Sequence, residues 1–213
     1  MKNSNLLIGI GLIVVILFFI NTGEKQMKKT TGTLYISNNA ITSTGTRIVY
    51  GTNMEAQEII PTQDFTLGNI MIYCRKSGAP TAVTIELYDE LNGNLLSSGM
   101  IDGTTLPTTT EWVEVTMSNA ELISGQNYFI VISSVGDGSN NIYLKVDGTL
   151  SYPSGRYYTT EDSPTWVDIS ANYDLLFEVY GSESAQTCPS TICSDSTIDY
   201  NEFIQTANFW INE

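Results

Sequence analysis

Val83-Thr84-Ile85-Glu86-Leu87-Tyr88 alternates apolar and polar or amphipathic side chains at a period of two. That is the mark of a strand with one buried and one wetted face. Ile142-Tyr143-Leu144-Lys145-Val146 and Leu175-Leu176-Phe177-Glu178-Val179-Tyr180 repeat the scheme. Residues 65–75, 112–117 and 128–133 supply further strands, and the last is so continuously apolar that a central place in a sheet is expected for it. Asn92-Gly93 carries the signature of a type I′ hairpin turn, in which both central residues take positive φ. Gly136-Asp137-Gly138 marks another reversal. From residue 46 to 181 no helical period intervenes, and short strands follow one another about every ten residues. The expected fold is therefore all-β, an antiparallel β-sandwich of jelly-roll type.

Outside that region the composition changes. Residues 22–45 are rich in Thr, Asn, Ser and Lys, with Leu34-Tyr35-Ile36 as the one candidate strand, and read as a polar linker. Residues 1–21 hold an unbroken apolar run, Leu6-Leu7-Ile8-Gly9-Ile10-Gly11-Leu12-Ile13-Val14-Val15-Ile16-Leu17-Phe18-Phe19-Ile20, with no polar face. It reads as an N-terminal signal-anchor helix or as a cleaved signal peptide; it lacks a small-x-small cleavage pattern and is short for a spanning helix. Residues 182–213 form a tail. In it Cys188 and Cys193 read as a small disulfide loop, with free thiols or half a metal site as the alternatives. Asp199 and Glu202 resemble a capping box, and Phe203, Ile204, Ala207, Trp210 and Ile211 then share one side of a short amphipathic C-terminal helix.

Among 213 residues only 15% are charged, below the roughly 25% of ordinary soluble domains. Hydroxyl, amide and tyrosine side chains take their place, as in many exported β-proteins. The net charge is −14, which repels phosphate backbones, so nucleic acid is not an expected partner. The chain has no histidine. Ser/His/Asp and Cys/His nucleophile systems, histidine zinc sites and imidazole pH switches are thereby excluded. Cys74 stands alone in a strand and reads as a small buried hydrophobe.

Phe65-Thr66-Leu67-Gly68-Asn69-Ile70, Val83 to Tyr88, Leu95-Leu96-Ser97-Ser98-Gly99, Glu111-Trp112-Val113-Glu114-Val115 and the run from Leu122 to Val131 follow one another in a familiar order. With Tyr152-Pro153-Ser154-Gly155, Thr165-Trp166 and the segment from Asp174 to Gly181, they resemble the jelly-roll sandwiches of the choice-of-anchor type. Those occur in exported bacterial, archaeal and viral proteins and are similar in shape to carbohydrate-binding modules. The resemblance covers roughly residues 55–181 and implies surface display, with the anchor varying and the function open. The C-terminal stretch is faintly similar to dockerin or EF-hand tails, but Asp195-Ser196-Thr197-Ile198-Asp199 lacks the Asp-x-Asp-x-Asp-Gly loop that calcium needs.

Without histidine, carboxylates are the acid and base groups on offer, and a glycosidase pair is the one enzyme class in view. Glu86, Glu114 and Glu178 lie on wetted strand faces, where solvating the face is the expected role, so no catalytic residue is assigned. For ligand binding, Tyr152, Arg156, Tyr157, Tyr158 and Trp166 fall in one loop-rich region and combine stacking rings with a hydrogen-bonding cation; packing at the end of the sandwich is the competing role. A structural calcium ion is the one cofactor considered, with Asp89, Glu90, Asp137, Glu161 and Asp162 as hard-oxygen candidates and turn solvation as the alternative. The expected protein is an extracytoplasmic, membrane-anchored or secreted binding or adhesion module, held at the membrane by its N-terminal segment, with a glycan or surface protein as partner. The alternative is a self-associating structural subunit of an envelope, extracellular filament or virion.

Overall fold

The alternation in residues 83–88 folds as expected: Val83, Ile85 and Leu87 are fully buried, while Thr84, Glu86 and Tyr88 between them are half-buried on the other side. The computed structural model describes residues 32–41 and 44–184. The anchor or signal segment, the Cys188/Cys193 loop and the C-terminal amphipathic stretch lie outside the described residues. Among those described, no helix is long and apolar enough to cross a membrane.

The strands are β1 (Thr33–Asn38), β2 (Thr44–Val49), β3 (Glu55–Ile59), β4 (Phe65–Ser77), β5 (Ala82–Tyr88), β6 (Leu95–Asp102), β7 (Glu111–Thr116), β8 (Glu121–Leu122), β9 (Tyr128–Val135), β10 (Asn141–Asp147), β11 (Tyr157–Thr159), β12 (Val167–Asp168), β13 (Asp174–Leu175) and β14 (Phe177–Glu183). All pairings between them are antiparallel. One sheet of eight strands runs β1-β14-β4-β10-β13, with β7 and β8 on β4 and β2 on β10. The other, of six, runs β12-β11-β3-β9-β5-β6.

The inward residues of both sheets merge into one core. Ile70, Ile72 and Cys74 of β4 and Ile142, Leu144 and Val146 of β10 belong to the same cluster as Val83, Ile85 and Leu87 of β5 and Ile130 and Ile132 of β9. Each fully buried aliphatic side chain contributes about 1.5–3 kcal/mol of transfer free energy, so this shared layer is the main reason the sheets stay face to face. β9 is central in its sheet, as its apolar run implied, and Cys74 is a buried core residue whose thiol burial pushes up to about 12.

Two local expectations need correction. The stretch read as polar linker contains β1 and the start of β2: Ile36 is buried because it packs against the core, and Asn38 is buried because its Nδ2 donates to the Leu175 carbonyl at 2.8 Å. At Asn92-Gly93 only Asn92 has positive φ (66°). The turn is therefore not type I′; it is clamped by Asp89, whose carboxylate accepts from the Asn94 backbone N–H at 2.7 Å and from Asn94 Nδ2 at 2.8 Å. β3, which the sequence pattern does not mark, has no apolar alternation, yet all five of its residues are buried.

Candidate functional site

Four strands of the six-stranded sheet set out a row of side chains on its outer face. β5, β9, β3 and β11 bury Leu87, Ile130, Gln57 and Tyr157 inward, so their neighbours Tyr88, Phe129, Glu58 and Tyr158 project the other way. Register then aligns them: Tyr88 lies opposite Phe129 and Phe129 opposite Glu58, while in the next row Glu86, Val131, Ala56, Tyr158 and Asp168 follow one another across the strands. Ala56 is the hinge of this arrangement. Its small side chain leaves room above β3, and the rings of Phe129 and Tyr158 meet there edge to face at 6.0 Å.

A polar frame surrounds the rings. The Tyr88 hydroxyl donates to Glu86 Oε2 at 3.0 Å. Glu58 accepts from Asn127 Nδ2 at 2.7 Å and from the Arg156 backbone N–H at 3.1 Å. At the far edge the Arg156 guanidinium pairs with Asp168 at 3.0 Å, well exposed. Burial, and then the adjacent Glu86 carboxylate, raises the Tyr88 hydroxyl above its ordinary range; burial with Glu58 and Asp168 does the same for Tyr158. Both hydroxyls thus remain protonated donors at any physiological pH. The half-buried rings of Tyr88 and Tyr158, with Phe129 buried between them and donors and acceptors around them, can hold a ring-shaped polar ligand by stacking and by hydrogen bonds to its rim.

Of the ligand-binding residues expected from the sequence, Tyr158 and Arg156 stand on this face. Trp166 is half-buried in the turn that leads into β12. Tyr152 and Tyr157 are core residues, not stacking platforms. Tyr157 is fully buried because it alternates with Tyr158 on β11, and Tyr152 packs edge-on against Phe177 at 5.2 Å. The candidate calcium ligands are dispersed, and among the described residues no group of three His, Cys, Asp or Glu side chains converges. Asp89 closes its own turn; Asp137 accepts from the backbone N–H groups of Ser139 and Asn140 at 2.8 and 2.9 Å. Glu161 faces the Arg47 guanidinium at 2.5 Å, a neighbour that repels a cation.

The sequence reading found no desolvated carboxylates, and the fold supplies several. Arg47 reaches from β2 across to the other sheet, its Nε 3.1 Å from Glu55 and its Nη2 3.0 Å from Thr159 Oγ1. Burial drives the Glu55 carboxyl up to about 7 against the opposing pull of Arg47. Asp147 and Asp174 are register partners at the end of β10 and β13. Burial pushes both up; four hydrogen bonds from Thr149 and Ser151 more than offset it in Asp147, held at about 2, whereas Asp174 rises to about 6 with the Asp147 charge beside it. A carboxyl pair with separated pKa values is a pattern found in acid–base sites. Here both side chains are sealed from solvent, at 0% and 2% exposure, so no substrate reaches them and their role is to tie strand ends.

No family model matches the chain, and no curated protein matches it. Among solved structures, an aminopeptidase from the marine sediment archaeon Thaumarchaeota archaeon is similar at 8% identity over 58% of this chain, with a TM-score of 0.27. The chain spans about a quarter (25%) of that protein's length, and nothing about activity follows from a likeness of this size.

Proposed function

We propose that this protein is an exported, non-catalytic binding module of jelly-roll type, held at the cell surface by its N-terminal segment, and that it takes a neutral glycan on the outer face of the six-stranded sheet. The observation that carries this reading is the placing of the half-buried rings Tyr88 and Tyr158 on neighbouring rows of one face, with buried Phe129 between them, in a frame of Glu58, Glu86 and Arg156. Pyranose rings present flat C–H faces that pack on aromatic rings, and their hydroxyls bond to carboxylates, amides and guanidinium groups. Because the rings stand on paired strands and not on free loops, little ordering is required on binding. Carboxylates outnumber the lone Arg156 on this face, which disfavours anionic sugars. The absence of histidine from the sequence and the burial of the perturbed carboxylates support a binding role over catalysis.

The test is a glycan-array screen with polysaccharide pull-down on the full chain, run with and without calcium, beside Tyr158→Ala. Saturable binding to a neutral glycan that the substitution abolishes is the expected result. Binding that survives Tyr158→Ala, or no binding to any glycan, overturns the assignment.

A further inference from the structure

The outer face of the eight-stranded sheet carries a second concentration of aromatic and charged side chains, independent of the proposed glycan face. Trp112 is half-buried on β7. It alternates outward, because Val113 and Val115 turn in against Ile72 and Ile70. There it packs on Tyr73 with ring centroids 5.1 Å apart. Two residues along β4, the Arg75 guanidinium lies 4.0 Å over the ring of Tyr143, its register partner on β10. Two residues the other way is Met71, with Glu114 opposite it on β7 and Glu178 opposite it on β14. Trp, Tyr, Arg and Met are the residue types that concentrate in protein interfaces and dominate their energetics.

The charges on this face are arranged about Tyr73. Arg75 sits about 7 Å from it along β4, and the Glu114/Glu178 pair about 7 Å away in the opposite direction, the two carboxylate-bearing positions being about 10 Å apart across β4. Lay a second copy face to face on the first, related by a two-fold axis in the sheet plane that crosses the strands at Tyr73. Each Arg75 then falls between Glu114 and Glu178 of the other copy, while Tyr73 and Trp112 meet their own equivalents at the centre. Lys145 lies near this axis, but its ammonium leans to β2 and donates to Thr46 Oγ1 at 3.0 Å. Glu178 is oriented for the role, its carboxylate oxygens accepting from Asn39 Nδ2 at 2.8 Å and from the Tyr180 hydroxyl at 2.7 Å, both neutral donors that leave its charge in place.

We propose that this face is a self-complementary docking surface for a second copy of the same chain, in which Arg75 of each protomer engages Glu114 and Glu178 of the other around a Tyr73–Trp112 centre. A closed two-fold contact of this kind uses one patch twice, so a single charge reversal damages it twice.

Sedimentation velocity of the full chain in mild detergent tests the geometry by exchange of charges. Arg75→Glu alone and Glu178→Arg alone each place like charges together, and each is expected to weaken self-association by roughly 100-fold. An equimolar mixture of the two variants restores one contact in full and at the other sets opposite charges at positions 75 and 178 beside the unchanged Glu114, so it is expected to form heterodimers more tightly than either variant self-associates. That recovery also shows both variants to be folded. A wild-type monomer at all concentrations, dimers indifferent to either reversal, or a mixture that stays monomeric would each overturn the proposal. None of these outcomes depends on whether the other face binds a glycan.

Discussion

Glu55→Gln tests the energetics of the link between the two sheets. In the folded protein the carboxyl is 1% exposed and its proton is held up to about 7, against an ordinary value of 4.5. At about 1.4 kcal/mol for each pH unit, that displacement amounts to roughly 3 kcal/mol. The sign follows from which state holds the proton: the folded state keeps it to higher pH, so Glu55 contributes its full share of stability below about pH 4.5 and loses it as pH rises through 7. Asp174, raised to about 6 from 3.8, acts in the same direction. The wild type is therefore expected to be several kcal/mol less stable at pH 8 than at pH 4.5. Glutamine keeps an acceptor for Arg47 Nε and the Thr159 hydroxyl, sets an amide in place of the second carboxylate oxygen beside the Tyr157 hydroxyl, and leaves Arg47 its bond to Glu161. Urea unfolding followed by tryptophan fluorescence at pH 4.5 and pH 8 should show the variant roughly 3 kcal/mol less sensitive to that pH change than the wild type, through a higher midpoint at pH 8. A variant less stable than the wild type at pH 8, with unchanged pH sensitivity, would show that the Arg47 attraction outweighs desolvation and refute the reasoning.

Other outcomes follow from single contacts. Gly99 on β6 approaches the far sheet so closely that a Cβ would stand 2.5 Å from the Thr116 carbonyl oxygen and 2.7 Å from Val115 Cγ1, so Gly99→Ala should cost about 1–3 kcal/mol in chemical denaturation. Tyr157 is fully buried with its hydroxyl against the Glu55 carboxyl, so Tyr157→Phe should cost only about 1 kcal/mol, whereas Tyr157→Ala should cost about 3–5 kcal/mol by the same measurement. In a Cys188→Ser/Cys193→Ser background, Cys74 should react with a thiol reagent only at the rate of unfolding, since its thiol is buried and held up to about 12; rapid labelling of folded protein would contradict the packing described.

Strands whose period was clean were legible from sequence. β5, β10 and the apolar run of β9 declared themselves because one face of each is uniformly aliphatic. β3 did not: Glu55-Ala56-Gln57-Glu58-Ile59 has polar residues on both faces, its inward Glu55 and Gln57 being satisfied by Arg47, Thr159 and the Leu175 backbone N–H. Those partners come from strands roughly 8 to 120 residues distant, and no local pattern reports them. Within the stretch named for ligand binding, residues 152–166, the part that forms β11 carries no strand signal in the sequence and reads as loop. Tyr157-Tyr158-Thr159 is only three residues, too short to show a period, yet pairing with β3 sends Tyr157 into the core and Tyr158 out. Tyr88 and Phe129, which complete the face, lie 70 and 29 positions earlier than Tyr158 and join it only through sheet register.

The measurement that bears most directly on the proposed role is the retention of the full chain on immobilised neutral polysaccharide, compared with Tyr88→Ala/Tyr158→Ala and with the buried control Tyr152→Phe. Loss of at least tenfold in affinity for the double variant, with the control indistinguishable from wild type, is the predicted result. Equal retention of all three proteins would contradict the placement of the ligand on the outer face of the six-stranded sheet.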